Sequence, residues 1–309
     1  MFFGLPDDAA ALREGLRDLL SATCTPTVIR AAWDGDRCDP LWKELGSFGL
    51  LGLLVDEPRG GLGLDELALV AALEEAGYAG VPGPLVETVV ALPALQLPLD
   101  GSARVAVKRN HVGVAGATTA SHVLDLMTDP PQLVAKPETH PIETVDPSRG
   151  LARVLDEGEA VTLDADLLGR RATLGTAAFL CGLARRQVEL TVDYLKTRQQ
   201  FGVAIGSFQG LKHPLAEAVV GLEFAWPVVL HAAHLLATGD PEARLRVSHA
   251  KAAASDAAYR VSRVCLQTHG AIGYTVEYDL HLFMKRTWAL AKDWGTADQH
   301  RALIAEEIL

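Results

Sequence analysis

The sequence predicts a mainly α protein in three stretches: an N-terminal helical domain over 1–100, a small, reduced middle β domain over 101–163, and a C-terminal four-helix-type bundle over 164–309. Three observations lead there. Apolar residues recur at helical spacing through the first stretch and are cut by glycines. From Gly101 to Leu163 the pattern turns to short alternating runs, broken by Pro130, Pro131, Pro137, Pro141 and Pro147. Beyond Asp164 an apolar stripe of Leu174, Cys181, Val188 and Leu195 returns every seven residues.

Taken in order, Asp7 and Asp8 are placed to cap a first helix reaching about Leu20, with Leu12, Leu16, Leu19 and Leu20 at helical spacing. A second helix is expected over 40–48, stopped by Gly49. The apolar run from Leu50 to Val55 closes in the turn Gly60-Gly61-Leu62-Gly63. Asp65 caps the next helix, 66–76, which Gly77 interrupts, and a further helix follows near 85–95 after Gly80, Pro82, Gly83 and Pro84. Strands are expected at 103–107, 111–114, 132–135 and 142–145. A helix over 167–198 would span about 45–50 Å at the usual rise per residue. Helices over 209–236 and 241–268, then shorter ones, complete a bundle.

Composition narrows the function. A chain of 309 residues buries a sizeable core. It is 49% apolar, yet no run of about 18 uninterrupted apolar residues occurs, so no transmembrane helix is expected. The start lacks a basic segment followed by an apolar block, so no cleaved signal peptide is expected either. Cys24, Cys38, Cys181 and Cys265 are scattered without a CxxC pair, which fits reduced thiols in the cytoplasm and no metal site. A net charge of −11 argues against nucleic acid but leaves room for an anionic cofactor held by local arginines or helix N-termini. The absence of a Glu-x-x-His pair on any predicted helix argues against a di-iron bundle.

Two segments carry binding chemistry. The first runs Arg198-Gln199-Gln200-Phe201-Gly202 and on to Phe208-Gln209. A guanidinium at a helix end can grip a pyrophosphate through paired charge-assisted hydrogen bonds. It can equally complement the helix C-terminus for about 0.3–1 kcal/mol, with Gly202 as the residue after the cap. Phe201 offers a flat surface for an adenine, or a core contact. The second segment is Gln267-Thr268-His269-Gly270-Ala271-Ile272-Gly273-Tyr274. Gln267 both donates and accepts, and Gly270 and Gly273 allow backbone amides to approach an anion closely. The plainer reading is an interhelical turn, with Thr275 capping the next helix.

Both segments, in this order, and the Gly-Gly-x-Gly turn near residue 60 resemble the acyl-CoA dehydrogenase family over most of 40–95 and 165–309. The resemblance implies FAD as cofactor and Arg198, Phe201, Gln209, Gln267, Thr268, Gly270, Ala271, Gly273 and Thr296 as residues contacting it. In the family the arginine and glutamine segments reach the adenosine-diphosphate half of a neighbouring subunit's FAD. The chemistry removes the α-proton of an acyl thioester while hydride passes to the flavin, so it needs a carboxylate base beside donors to the thioester carbonyl. Most members place that glutamate just before a Gly-Thr pair. Here Trp294 precedes Gly295-Thr296, and an indole only donates, although the Trp294 backbone N–H remains for a carbonyl contact.

The family's other base position, near the start of the long helix, falls on Ala172. Asp293 is the nearest substitute and Asp298 a weaker one. A Thr-Glu-Pro followed by Gly-Ser-Asp, by which the family's β domain holds flavin and substrate, is absent. These departures imply the base-less subunit of a heterotetrameric acyl-CoA dehydrogenase. Its partner would be a homologous subunit carrying the catalytic glutamate, and its substrate a bulky, steroid-type acyl-CoA. The alternatives are a homomeric flavoenzyme using Asp293 and a non-catalytic helical scaffold.

Overall fold

The computed structural model describes residues 4–308. Five helices come first: α1 (Asp7–Thr23), α2 (Pro26–Trp33), α3 (Asp39–Phe48), α4 (Glu66–Ala79) and α5 (Leu85–Ala91). Six short strands follow, β1 (Val105–Lys108), β2 (His122–Asp125), β3 (Gln132–Ala135), β4 (Thr139–Pro141), β5 (Ala152–Val154) and β6 (Glu159–Ala160). The chain continues as α6 (Ala165–Thr197), the hairpin of β7 (Gln199–Gln200) and β8 (Val203–Ala204), then α7 (Gln209–Ala237), α8 (Ala243–His269), α9 (Leu280–Leu290) and α10 (Ala297–Ile308). The chain divides into two compact units, one of residues 4–6, Leu73–Gly80 and 173–308, the other of Asp7–Ala72 and Val81–Ala172.

The unit holding the strands starts with α1, whose Ala9, Leu16 and Leu20 are buried on one side. The sequence pattern did not show α2: its signal is only Pro26 as the first helical residue, where a missing N–H costs nothing. Trp42 on α3 is buried beneath the Arg104 guanidinium, 4.6 Å from the ring centroid, and Arg104 in turn pairs with Asp39. The main sheet has the order β1-β2-β3-β6, parallel between β1 and β2 and antiparallel elsewhere. Its core includes Ala106, Val123, Val134, Ala152 and Val154.

The expectation for the strands is corrected in two places. Neither 111–114 nor 142–145 forms a strand: Val114 makes an isolated bridge to Ala152, and the strand near 142 ends at Pro141. Strand β2 was not foreseen because, paired on both sides, it buries Val123, Leu124 and Asp125 in a row and lacks alternation.

The other unit packs the last turns of α4 against α6. Gly77, expected to interrupt α4, lies inside it because the two helices touch there. A Cβ on Gly77 would sit 2.1 Å from the Phe179 carbonyl oxygen, and one on Gly182 only 1.9 Å from that of Glu74. The crossing is also stitched by charge, with Arg185 reaching buried Glu74 at 3.0 Å and Glu75 at 2.8 Å. A turn over 238–242 joins α7 to α8, and the two bury alanines against the unit's interior, among them Ala218, Ala225, Ala250 and Ala254. Helix α7 is long and apolar enough to cross a membrane by length and composition, with a mean hydropathy of 1.5 over its best window. No uninterrupted apolar run marks it in the sequence, because sparse polar and charged residues, Glu217 and Glu223 among them, break the stretch. Its apolar residues include buried Leu222, Val229 and Leu236 of this unit's core.

Candidate functional site

Helix α6 closes at Thr197, whose hydroxyl donates back to the Asp193 carbonyl, and the Arg198 N–H completes the last turn on Tyr194. The chain then folds into the hairpin β7–β8, with Gln200 opposite Val203. Its two-residue loop is Phe201 (φ +53) and Gly202 (φ +77), both left-handed as a type I′ turn demands. Gly202 is therefore a hairpin residue and not the residue capping α6. The hairpin holds Phe201 outward, 91% exposed, with Phe208 edge-on at 6.2 Å between centroids. Gln209 is the first residue of α7 and is exposed at that helix's N-terminal end.

Helix α8 carries the second segment. Gln267 is exposed in its last turn, while Thr268 is buried and spends its hydroxyl on the Val264 carbonyl at 2.7 Å. Gly270 (φ +64) ends the helix with open space where a Cβ would be, Ala271 is exposed, and Gly273 is buried against His269 and Leu266. Thr275 does not cap α9, which starts after Asp279.

An aromatic cluster brings the two segments to one end of this unit. Tyr194 stacks on His269 at 4.6 Å and 18°, and Tyr278 lies 4.8 Å from His269 and donates to the Leu190 carbonyl at 3.0 Å. Tyr194 sits one helical turn before Arg198, and His269 follows Gln267 by two residues. The His269 Nδ1 faces the Cys265 carbonyl at 2.8 Å, whereas its buried Nε2 has no hydrogen-bond partner among the described residues. Burial lowers the His269 pKa, outweighing that carbonyl contact, so the ring is neutral. Burial also pushes the Cys265 thiol up to about 11 and the Cys181 thiol upward, which keeps both inert as nucleophiles.

The donors at this end are uncommitted. Arg185, Arg186, Arg246, Arg260 and Arg301 each pair with a carboxylate, but among the described residues the exposed Arg198 guanidinium has no ion pair and the Gln267 side chain no hydrogen bond. Beside them an apolar groove of about 560 Å³ runs between α6 and α7, lined by Val188, Val192, Leu195, Leu215, Val219 and Val220, with Lys196 and Lys212 at its edge.

The two positions at which the sequence resemblance sets the base hold no carboxylate. Ala172 is fully buried on α6. Trp294 is buried in the turn between α9 and α10, and its backbone N–H donates to Asp293 Oδ1 at 3.0 Å. The N–H that the sequence left available is therefore engaged within the chain. Thr296 caps α10: its hydroxyl accepts from the Gln299 N–H at 3.2 Å while Gln299 Oε1 accepts from the Thr296 N–H at 2.9 Å. This capping box was legible as Thr-x-x-Gln ahead of a helix. Asp298 is exposed and pairs with Arg301. Sequence reasoning missed Lys251 and His300, which hold the Trp294 turn from α8 and α10. No group of three or more metal-binding side chains is found among the described residues.

Residues 157–309 match the family model for the acyl-CoA dehydrogenase C-terminal domain, and residues 6–104 that for the N-terminal domain. The acyl-CoA dehydrogenase IpdE2 of Mycobacterium tuberculosis is 32% identical over 303 residues, covering 93% of both chains. IpdE2 of Mycolicibacterium smegmatis is 32% identical over 98% of this chain and 99% of its own length. Among solved structures, a variant of the Tcur3481-Tcur3483 steroid ACAD superposes with a TM-score of 0.84 at 25% identity, covering 98% of each chain. The Mycobacterium tuberculosis ChsE4-ChsE5 complex gives 0.84 at 23% identity over 100% of this chain and 99% of that one, a likeness of fold.

Proposed function

This chain belongs to the acyl-CoA dehydrogenase family, and from that premise we propose that it is the base-less subunit of an FAD-dependent heterotetramer. A homologous subunit supplies the catalytic glutamate. The observation that carries this reading is a mismatch: donors for a cofactor stand exposed and uncommitted, while Trp294 and Ala172 occupy the positions of the base. The chain is divided by function as 1–100, 101–163 and 164–309, with the cofactor-contacting residues in the last part.

The residues at the end of α6 and α8 fit the adenosine-diphosphate half of FAD. Arg198 offers a forked pair of donors for a pyrophosphate, Phe201 a solvent-facing ring for an adenine, and Gln267 an amide that donates and accepts. Gln209, Thr268, Gly270, Ala271, Gly273 and Thr296 complete the contact set, Thr296 through the hydroxyl proton that its accepting role in the cap leaves over, since its backbone N–H and carbonyl serve the helix. FAD supplies the hydride acceptor for α,β-oxidation of a thioester. This chain's residues bind and orient it, and removal of the α-proton falls to the partner's carboxylate. The acyl group is assigned as bulky and steroid-like on the similarity to the Tcur3481-Tcur3483 steroid ACAD, and the enzyme is placed in the cytoplasm.

The test is co-purification with the homologous subunit, with flavin quantified per chain and dye reduction assayed with acyl-CoA substrates. The chain alone should hold little flavin and reduce no dye, and the mixed complex should do both. Arg198→Ala in the complex should weaken flavin binding roughly 10–100-fold, the worth of a charge-assisted contact of about 1.5–3 kcal/mol. Strong dehydrogenation by the purified homomer overturns the reading. If Asp293→Asn then abolished that activity with flavin still bound, the displaced-base alternative would replace it.

A further inference from the structure

The turn between α9 and α10 is tied down from three directions. Lys251 on α8 has no exposed surface, and its ammonium donates to the Gly295 carbonyl at 2.9 Å, Ser255 Oγ at 3.0 Å and the Ala291 carbonyl at 3.2 Å. An ammonium has three protons, and these three acceptors answer them. His300 on α10 brings Nε2 to 2.9 Å from the Trp294 carbonyl and Nδ1 to 3.2 Å from Ser248 Oγ. A carbonyl only accepts, so Nε2 carries the proton and Nδ1 accepts from the serine. That approach requires a glycine next door, because a Cβ on Gly295 would lie 2.6 Å from His300 Nε2. The third tie is the carboxylate of Asp293 on the Trp294 N–H.

Trp294 itself is left-handed, at φ +52. For a residue other than glycine this costs about 1–2 kcal/mol. Such a conformation persists where its surroundings over-determine it, and here three hydrogen bonds on two residues do so.

We propose that Lys251 and His300 are positioning residues that lock the Trp294–Gly295 turn, and that Asp293 seals the Trp294 N–H so that this donor is closed to a thioester carbonyl. The inference rests on the proposed reading above, in which the residue before Gly295-Thr296 stands at the reacting end of the site, and it deepens that reading. The chain has lost two functions of an acyl-CoA site rather than one: the proton acceptor and the peptide donor that would polarise the carbonyl. The thioester is thereby directed to the partner's site.

Hydrogen exchange at the Trp294 amide, measured on the full chain without flavin or acyl-CoA, tests this. The wild-type amide should be protected. Asp293→Asn keeps an acceptor oxygen and should keep the protection, whereas Asp293→Ala should speed exchange by about tenfold or more, the worth of one hydrogen bond. His300→Gln places an amide N–H near the Nε2 position and should preserve protection. His300→Asn reaches only the Nδ1 side and should lose it, which separates positioning from mere bulk. Unchanged protection in both Asp293→Ala and His300→Asn, with wild-type circular dichroism, overturns the proposal.

If Asp293→Ala does not fold, Asp293→Leu, of similar size and without an acceptor, and the Gln/Asn pair at 300 give the same reading. Failure here is distinct from failure of the heteromer. A protected amide in a chain that never gains flavin sinks only the functional reading. A rapidly exchanging amide in a flavin-loaded complex sinks only the lock.

Discussion

His122, His269 and His300 are neutral in the folded chain for one shared reason: burial removes the water that would solvate an imidazolium. At His300 the Lys251 charge adds to burial, against the opposing pull of the Trp294 carbonyl. Each folded pKa therefore lies below the unfolded value of about 6.5. Once pH falls through that value the unfolded chain binds more protons than the native one, so stability is complete above it and declines as pH drops towards the folded values. Each group contributes at most about 1.4 kcal/mol per pH unit. Thermal scans should show a lower Tm at pH 5.5 than at pH 7.5, with a smaller drop in His300→Gln; an equal Tm at both values would contradict this account. At this scale Arg198 and Gln267 stand out in the sequence as candidates because their neighbours carry the signature. Lys251 and His300 were not, because a lysine among alanines reads as a solvated residue until its acceptors arrive from 40 and 44 residues away.

At the scale of elements, the α4–α6 crossing shows how small residues decide packing. Gly77 and Gly182 let the two backbones meet at distances no Cβ tolerates. The buried Glu74 and Glu75 can then reach Arg185, which also lies 4.3 Å over the Tyr78 ring. Gly182→Ala must push the helices apart, and we expect a loss of about 1–3 kcal/mol or more in urea unfolding, the usual cost of overpacking. A wild-type midpoint would show that the crossing relaxes freely. Gly77 read from sequence looked like a helix break, since the pattern of one segment does not reveal a neighbour's backbone. The β7–β8 hairpin was hidden for a related reason: Phe201 is an unusual residue at positive φ, so the Phe-Gly pair lacked the Asn-Gly signal of a type I′ turn.

For the whole molecule, the exposed apolar residues are unevenly placed. Among the described residues, six of the nine large apolar side chains that are at least 50% exposed, Phe201, Val220, Phe224, Tyr259, Tyr274 and Val276, lie between the end of α6 and the start of α9, and Val112, Leu155 and Ile308 lie elsewhere. Val220 and Phe224 are one turn apart on α7, and Val220 also lines the apolar groove. On the proposed reading this surface meets the homologous subunit. Phe224→Glu should shift the sedimentation profile of the mixed complex towards free subunits, about tenfold or more in dissociation constant for a buried aromatic anchor, with helix content unchanged. Assembly at wild-type concentrations would place the contact elsewhere. A net charge of −11 makes close self-association costly unless the contacting faces are apolar or locally basic, as the lysine-edged groove is.

The sequence by itself determined the family, the mainly α architecture and the long helices of the C-terminal part, because helical periodicity and signature spacing are local and survive without knowledge of neighbours. On the proposed reading, Trp294 and Ala172 stand where the family keeps a carboxylate, and an indole and a methyl group cannot accept a proton in any fold. Only the tertiary structure decided that Gly77 lies within a helix, that α2 and β2 form, and that the Trp294 N–H is held by Asp293 within a turn bound by Lys251 and His300. Those outcomes depend on atoms far apart in sequence meeting at hydrogen-bond distance, and a one-dimensional pattern carries no term for that meeting.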